Sequence, residues 1–455
     1  MKVFMLGWEF PPYMSGGLGT ACYGLTKALD QIGVEVTFVL PMALPQDATS
    51  HVRFATPTTL RQPGRRRRLA QGGNPAAIQH PALAVFRHLT VRRLPAVLQP
   101  YGTPQSYKET ITRLQHIEVA GGAVDLPSGL VEEILTGRQG VAGGQGGYGG
   151  DLLSQVQRYA LLAVELARGE EFDVIHAHDW MTYPAGLAVA AYTGKPLVVH
   201  VHSTEFDRSG DNVYQQVYDI ERAGMHGADR VVCVSHFTRS IVLSRYGVPA
   251  NKVEVVYNAV DLPNGERMPL TPIARDEKIV LFLGRMTMQK GPEYFLRAAA
   301  RVLEKYKKVR FVMAGSGELI PMAVDMAVNL GIGRYVTFTG FLRGDNVNKV
   351  FRMADLYVMP SVSEPFGIAP LEALSHNVPV IISKQSGVSE VLSHVLKVDF
   401  WDTDEMANKI LAVLRHPPLQ RVLREQGQIE LQKLSWSDSA EKCTRIYGDL
   451  LAARA

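Results

Sequence analysis

Short apolar runs along the chain alternate with stretches in which apolar residues recur at helical spacing. Lys2–Gly7 is the first apolar run, and helical spacing extends from Thr20 to Ile32. Gly33 follows at the position of a glycine that ends a helix, and Val34–Leu40 forms a second apolar run. Strand, helix and strand at this spacing predict a βαβ unit and therefore a parallel sheet.

The alternation resumes at Asp151 and continues in two blocks, which are separated by prolines and charges at Leu262–Lys278. The first block predicts a helix at Asp151–Arg168 and strands at Phe172–His176, Pro196–His202, Arg230–Val234 and Lys252–Tyr257. The second predicts strands at Ile279–Gly284, Val309–Ala314, Val336–Thr339, Leu356–Met359 and Val378–Ile382, and helices at Pro292–Tyr306, Ile320–Leu330 and Gly367–Ser375. This pattern is typical of an α/β chain with two doubly wound parallel-sheet domains.

We place the domains at residues 1–265, 266–434 and, for a C-terminal helix that crosses back to the first domain, 435–455. The first domain contains an insertion at about 45–150, where the pattern weakens. The insertion holds the basic run Arg65–Arg68 and the glycine-rich segment Gly143–Gly150. The basic run is interpreted as a solvated loop or, alternatively, as a surface for an anionic polymer or a membrane.

The amino-acid composition narrows the classes of protein to which the chain can belong. The 455 residues are 46% hydrophobic and 20% charged, which is typical of a globular protein, and the net charge of +4 argues against a nucleic-acid binder. No apolar run approaches the roughly 20 residues of a membrane helix, and the N-terminus lacks a signal-peptide pattern. The three cysteines, Cys22, Cys233 and Cys443, are odd in number and far apart, which indicates reduced thiols and a cytoplasmic location.

Two carboxylates lie eight residues apart in the segment Met359–Ala373, which follows a predicted strand and opens a helix. The start of a helix supplies free N–H groups that suit a diphosphate. Because Glu364 and Glu372 cannot serve a phosphate, their natural partners are the vicinal hydroxyls of a ribose or a sugar. The alternative is that both glutamates serve only to cap the helix and complement its dipole.

A second loop between a strand and a helix, Gly284–Gly291, contains Arg285 and Lys290. These two cations can converge on one dianion such as a departing diphosphate, or they can be solvated loop charges. A third loop holds Gly16 and Gly17, which let the backbone approach a phosphate or a sugar closely.

Two histidine pairs, His176 with His178 and His200 with His202, end predicted strands. Each pair is spaced to lie on one face of its strand. Zinc binding is conceivable, but no further clustered ligand joins the histidines, and we expect no metal site. Asp402–Asp404 also suggests a metal, but we interpret this segment as the cap of a helix.

The run Glu364–Glu372, E-P-F-G-I-A-P-L-E, resembles the signature of retaining GT-B glycosyltransferases of group 1. His178-Asp179-Trp180 and the segment Trp8–Gly19 resemble the glycogen-synthase-like branch, and the resemblance covers residues 1–44 and 150–455. It implies the GT-B fold, in which two Rossmann-like domains face a central cleft. The sequence departs from bacterial glycogen synthases at Met14, where they have lysine, and at Ser203–Arg208.

The resemblance also implies a role for each matching residue. Arg285 and Lys290 would bind and stabilise the leaving diphosphate, Glu364 would contact the donor sugar, and Glu372 would contact the ribose. Asp179 and His202 would lie at the active site. The remaining donor-binding residues would be Gly16, Gly17, Phe341, Phe366, Gly367 and Ile368.

The activity implied is retaining transfer of a hexosyl, first of all glucosyl, unit from UDP- or ADP-glucose to an α-1,4-glucan, with no cofactor or essential metal. The same chemistry on a small saccharide or a lipid-linked glycan is an alternative. A binding protein without catalysis is another. A glycosidase is a further alternative, although both carboxylates match a donor-binding segment instead.

Overall fold

The computed structural model describes residues 1–11, 16–41, 87–94, 150–261 and 277–454. Residues that lie outside this description include Met14, Arg65–Arg68, nearly all of Gly143–Gly150 and most of Leu262–Lys278. The strands are β1 Lys2–Leu6, β2 Glu35–Pro41, β3 Leu89–Leu94, β4 Val174–His178, β5 Leu197–Val201, β6 Arg230–Cys233, β7 Val253–Val255, β8 Lys278–Leu283, β9 Val309–Ala314, β10 Val336–Gly340, β11 Leu356–Met359, β12 Val380–Ser383 and β13 Leu396–Val398.

Helices connect these strands throughout the described ranges. They are α1 Gly17–Gln31, α2 Gly150–Ala167, α3 Tyr183–Thr193, α4 Glu205–Ser209, α5 Gln215–Gly227, α6 His236–Tyr246, α7 Pro292–Lys305, α8 Ile320–Asn329, α9 Asp345–Met353, α10 Ile368–Ser375, α11 Val388–Val391, α12 Thr403–Arg415, α13 Pro417–Leu431 and α14 Trp436–Ala452. The helix at Gly17–Gln31 ends before Gly33, whose φ of +78° favours glycine.

The chain divides into two compact units. The first contains residues 1–199, 223–229 and 447–455, and the second contains residues 200–222 and 230–446. The sequence-level boundaries near residues 265 and 434 remain predictions.

The strands form two sheets, and the predicted α/β fold class is confirmed. The described strands of the first sheet have the order β3-β2-β1-β4-β5-β6-β7, and those of the second have the order β10-β9-β8-β11-β12-β13. The pairings that define their register are parallel, for example Lys2 with Glu35 and Leu356 with Val280. In both sheets the strand order reverses once, between β1 and β4 and between β8 and β11. Ligands of such folds bind outside the carboxyl ends of the strands at this reversal.

The second sheet is buried on both faces. Along β8, Val280 and Phe282 belong to one hydrophobic cluster, while Ile279 and Leu281 belong to another. A parallel sheet that is covered on both sides reads as a nearly continuous apolar run, which is why its strands were predictable. The predicted bounds of β9 and β11 match the structure.

Strand β3 was missed by the sequence pattern. Leu89–Leu94 lies within the predicted insertion and pairs with β2 in parallel, Val36 with Leu89 and Pro41 with Leu94. Among the described strands it lies at the edge of its sheet, and it contains two consecutive arginines, so its hydrophobic signal is weak.

Two simple expectations about the chain can be compared with the structure. No helix among the described residues is long and apolar enough to cross a membrane. The three cysteines are buried and are not joined by disulfides.

Candidate functional site

The loops that follow β8 and β11 flank the reversal in the second sheet. The first of these loops contains Arg285 and Lys290, and the second contains Glu364. The parallel arrangement therefore brings together cationic and anionic residues that are more than seventy positions apart in the sequence.

Lys290 and Glu364 form an ion pair at the centre of this site. Lys290 Nζ donates to Glu364 Oε2 at 2.5 Å, and the two side chains are 22% and 8% exposed. Ser361 Oγ donates to the same carboxylate oxygen at 3.1 Å. In the described part of the chain, the side-chain hydrogen bonds to Glu364 are these two, and both end on Oε2. Oε1 therefore remains available to accept from a ligand hydroxyl.

Arg285 is half-buried in the same loop as Lys290. Its Nη2 donates to the side-chain oxygen of Gln289 at 3.3 Å, while the backbone oxygen of Gln289 accepts from Val362 N–H at 2.9 Å. Gln289 therefore links the loop that contains Arg285, which we call the arginine loop, to the loop that contains Glu364, which we call the glutamate loop.

Two glycines after β9 support the arginine loop, and sequence reasoning gave them no role. Gly315 and Gly317 have φ values of +143° and +157°. An added Cβ would lie 1.8 Å from Gly284 O at the first position and 2.3 Å from Met286 O at the second. Met286 N–H also donates to Ser316 O at 2.9 Å. The close approach of the two backbones therefore requires glycine.

The backbone of Glu364 is held by the loop after β12, which sequence reasoning also missed. Glu364 N–H donates to Gln385 O at 2.9 Å, and Gly387 N–H donates to Glu364 O at 2.9 Å. These contacts join distant segments, and no local motif signals them.

Helix α10 begins directly after this loop. Gly367 has a φ of +105° and precedes Ile368, while Phe366 is buried in the core beneath. The first N–H groups of the helix have no partner within the helix and suit an anion. Glu372 is partly buried on this helix, and burial raises the pKa of its carboxyl group to about 7.

Phe341 lies just after β10 and is 52% exposed. The Arg343 guanidinium lies 5.3 Å from the centre of its ring. An exposed aromatic ring beside a planar cation can stack on a nucleobase.

His202 follows β5, and its ring stacks on that of His200 with 4.3 Å between centroids. The rings of His176 and His178 stack at the same distance, so the prediction that each pair shares a face is confirmed. Burial lowers the pKa of His202 to about 3, which makes the imidazole neutral at pH 7. A neutral ring can both donate and accept a hydrogen bond.

The first unit contains three other predicted residues at the reversal of its own sheet. Asp179 follows β4, is buried and has a φ of +64°. Gly16 directly precedes helix α1 and Gly17 begins it, and Glu9 Oε2 accepts from Gly19 N–H at 3.3 Å. An added Cβ at Gly16 would lie 2.5 Å from Glu9 Oε1. Sequence reasoning missed this buried carboxylate.

The predicted cap at Asp402–Asp404 is confirmed. Asp402 precedes α12, and its Oδ1 accepts from Glu405 N–H at 2.9 Å. This hydrogen bond satisfies one of the free donors at the start of the helix.

Two family models match the chain. The model for glycosyl transferases group 1 matches residues 266–430, and the model for glycosyltransferase family 4 matches residues 139–263.

Several named proteins are similar in sequence. The chain is 32% identical over 296 residues to the uncharacterized glycosyltransferase MJ1607 of Methanocaldococcus jannaschii, covering 61% of this chain and 75% of that protein. It is 29% identical over 302 residues to D-inositol 3-phosphate glycosyltransferase 1 of Catenulispora acidiphila, covering 61% and 72%. It is 27% identical over 286 residues to glycogen synthase of Mycobacterium tuberculosis, covering 60% and 68%.

Solved structures support the fold. The sucrose-phosphate synthase of Thermosynechococcus elongatus matches with a TM-score of 0.69 and 18% identity, and the match covers 99% of each chain. Each sheet is Rossmann-like, and the chain thus has the two-domain GT-B fold.

Proposed function

The chain belongs to the group 1 glycosyl transferases, and we propose that it transfers a hexosyl unit from a nucleotide sugar to a glycan with retention of anomeric configuration. The observation that supports this proposal best is the pair Lys290–Glu364 at the reversal of the second sheet. One partner suits a phosphate and the other suits sugar hydroxyls, so the pair fits the junction between a diphosphate and a sugar.

The departing nucleoside diphosphate gains negative charge as its bond to the anomeric carbon breaks. We propose that Lys290 and Arg285 stabilise this charge, assisted by the first N–H groups of α10. Lys290 would then exchange part of its contact with Glu364 for a contact with phosphate. Because these groups supply the positive charge, we propose that the transfer needs no metal ion, and a chelator should leave turnover unchanged.

Other contacts complete the proposed donor site. Glu364 Oε1 would accept from a hydroxyl of the sugar, and Glu372 would accept from the ribose hydroxyls. Phe341 would stack near the base. His202 would act as a neutral hydrogen-bonding partner of the transferred sugar, since its lowered pKa prevents it from being a cation. The assigned roles of Asp179, Gly16 and Gly17, like the cytoplasmic location, remain predictions.

The first proposed reaction is glucosyl transfer from UDP- or ADP-glucose to an α-1,4-glucan, because the glycogen-synthase-like motifs favour it. A second candidate is transfer to a small polyhydroxylated acceptor. The similarity to a D-inositol 3-phosphate glycosyltransferase, at 29% identity, favours this candidate.

A panel of UDP-, ADP- and GDP-sugars tests both reactions. Release of nucleoside diphosphate is measured with glycogen, with maltooligosaccharides, with inositol phosphate and without an acceptor. A product ladder that lengthens with time supports glucan synthesis, and a single addition supports the small acceptor. An inverted anomeric signal in the product NMR spectrum would contradict retention.

We expect Lys290→Ala and Glu364→Ala each to lower kcat by at least about a hundredfold, because each removes charge or hydrogen bonding that acts on the transition state. A matched control is available in the half-buried pair Lys409–Glu405, whose atoms are 2.7 Å apart on α12. Lys409→Ala and Glu405→Ala should keep wild-type turnover. Near wild-type turnover of either site variant, with an unchanged melting temperature, would contradict the assignment.

A further inference from the structure

Asp207 of helix α4 has separate partners for its two carboxylate oxygens. Oδ2 accepts from the backbone N–H and the hydroxyl of Thr204, each at 2.7 Å. Oδ1 accepts from Ser363 Oγ at 2.5 Å, across 156 positions of sequence. The side chain is buried, with 1% exposure. The carboxylate therefore joins the helix that follows His202 to the residue that precedes Glu364.

Helix α4 is fixed without any help from Ser363. The buried carboxylate of Glu205 accepts from Arg208 Nε at 3.0 Å and from Ser209 Oγ at 2.6 Å. The buried carboxylate of Glu221, on α5, accepts from Arg208 Nη2 and from the hydroxyl of Tyr246. Breaking such a buried network is costly, so the helix provides a rigid base for Asp207.

The backbone of the glutamate loop is held on either side of Ser363, and the hydroxyls of Ser235 and Thr238 donate to Pro365 O at 2.6 and 3.2 Å. Val362 N–H donates to Gln289 O and Glu364 N–H donates to Gln385 O, each at 2.9 Å. The hydroxyl of Ser363, between these two residues, has Asp207 as its partner. We propose that Asp207 is a positioning residue, which holds Ser363 and thereby fixes the carboxylate of Glu364 for the reacting sugar. This inference rests on the proposed function.

A purely local role for Asp207 would be the capping of α4. Thr204 and Asp207 do form a capping box, but this motif uses only Oδ2. The hydrogen bond from Ser363 Oγ to Oδ1 is short, and it joins α4 to the loop after β11. An O–H···O⁻ bond of this length belongs to the stronger class of protein hydrogen bonds. Burial raises the pKa of Asp207, while the bonds from Ser363 and Thr204 act in the opposite direction and favour the carboxylate.

Ser363→Ala separates the two roles, because it removes the link and leaves the capping box intact. We expect kcat to fall about ten- to a hundredfold, since a buried carboxylate loses a donor and the loop loses an anchor. KM for the donor and the stoichiometry of nucleoside diphosphate binding should change little, because Arg285 and Lys290 are untouched. Ser363→Thr retains a hydroxyl and should restore most of the turnover.

A double-mutant cycle with Asp207→Ala tests the coupling. The double variant should be no slower than the slower single variant, because both changes remove the same contact. Ser244→Ala is the control, because it also removes a serine hydroxyl that donates to a backbone oxygen, that of Ser240 at 2.7 Å, but within α6. It should keep wild-type turnover. Additive effects in the cycle, or wild-type turnover of Ser363→Ala, would overturn the proposal.

Hydrogen exchange gives a second measurement that does not depend on activity. Amide exchange in Pro360–Phe366 should rise in Ser363→Ala and in Asp207→Ala but not in Ser244→Ala. If the wild-type protein transfers no sugar to any acceptor, the proposed function fails, and exchange still decides whether Asp207 holds the loop. Unchanged exchange in both variants would overturn the positioning role even if the enzyme is active.

Discussion

At the residue scale, we expect the carboxyl group of Glu372 to make ligand affinity depend on pH, because burial raises its pKa. Burial raises its pKa to about 7, so it is largely protonated at pH 6 and largely ionised at pH 8. Only the carboxylate accepts from both ribose hydroxyls. We therefore expect the affinity for the nucleotide sugar to fall about tenfold from pH 8 to pH 6, as measured by calorimetry.

Glu372→Gln should remove this pH dependence, because the amide does not titrate. The diphosphate of a nucleotide sugar is a diester without an ionisation in this range, so the ligand adds no pH dependence of its own. The pKa in the folded protein lies above the ordinary value of 4.5, so the folded protein binds more protons than the unfolded chain between pH 4.5 and about 7. Its ionisation therefore lowers stability as pH rises through that window, and the variant should melt higher than the wild type at pH 8. An equal pH dependence in both proteins would exclude a role for Glu372.

The residues of the site differ in how far the sequence could predict them. Arg285, Lys290 and Glu364 lie in short motifs at strand ends, and a resemblance to a family identifies them. Their pairing, by contrast, depends on which strands are neighbours. Glu9 and Gln385 contribute through contacts that local spacing does not encode, and the Asp207–Ser363 bond spans 156 positions. Sequence patterns report local periodicity, while a site is assembled by tertiary contacts.

At the element scale, the loop after β9 determines the shape of the loop that holds Arg285. We expect Gly315→Ala to lower the free energy of unfolding by at least about 2 kcal/mol, because φ is +143° and the new Cβ would meet Gly284 O. The displaced loop should also weaken nucleoside diphosphate binding. Thermal melting and calorimetry measure the two effects.

Gly333→Ala is the matched control for this change. Its added Cβ has no atom within 4 Å, and the residue begins a short turn of 3₁₀-helix before β10. Its melting temperature and binding should stay close to those of the wild type. A Gly315→Ala protein that binds and melts like the wild type would show that the close backbone approach is not required.

The distinction between local sequence pattern and tertiary contacts also explains which whole elements could be predicted. Strands β9 and β11 are buried apolar runs in the middle of a covered sheet, and their bounds were predictable. Strand β3 lies at an edge and has a basic half, so its sequence gave no clear signal. Helix α9 was also missed, although Asp345–Met353 has apolar residues at helical spacing, because it is short and highly polar.

At the scale of the whole molecule, ligand binding should reveal how the two compact units unfold. The residues proposed for the diphosphate, Arg285 and Lys290, belong to the second unit, which is roughly half of the chain. A nucleoside diphosphate at about 100 times its Kd stabilises the protein that binds it by about 2.7 kcal/mol. If all 455 residues unfold together, the melting temperature should rise by about 3 °C.

The shift in melting temperature is the stabilisation divided by the entropy of unfolding. If the second unit unfolds by itself, that entropy is about half as large. The shift should then be about twice as large and should appear in only one of two transitions. Arg285→Ala should abolish the shift in either case. Arg310→Ala, which breaks an exposed ion pair with Glu277 at 3.0 Å, should keep it. A shift confined to a transition that Arg285→Ala does not affect would place the diphosphate elsewhere and contradict the proposed donor site.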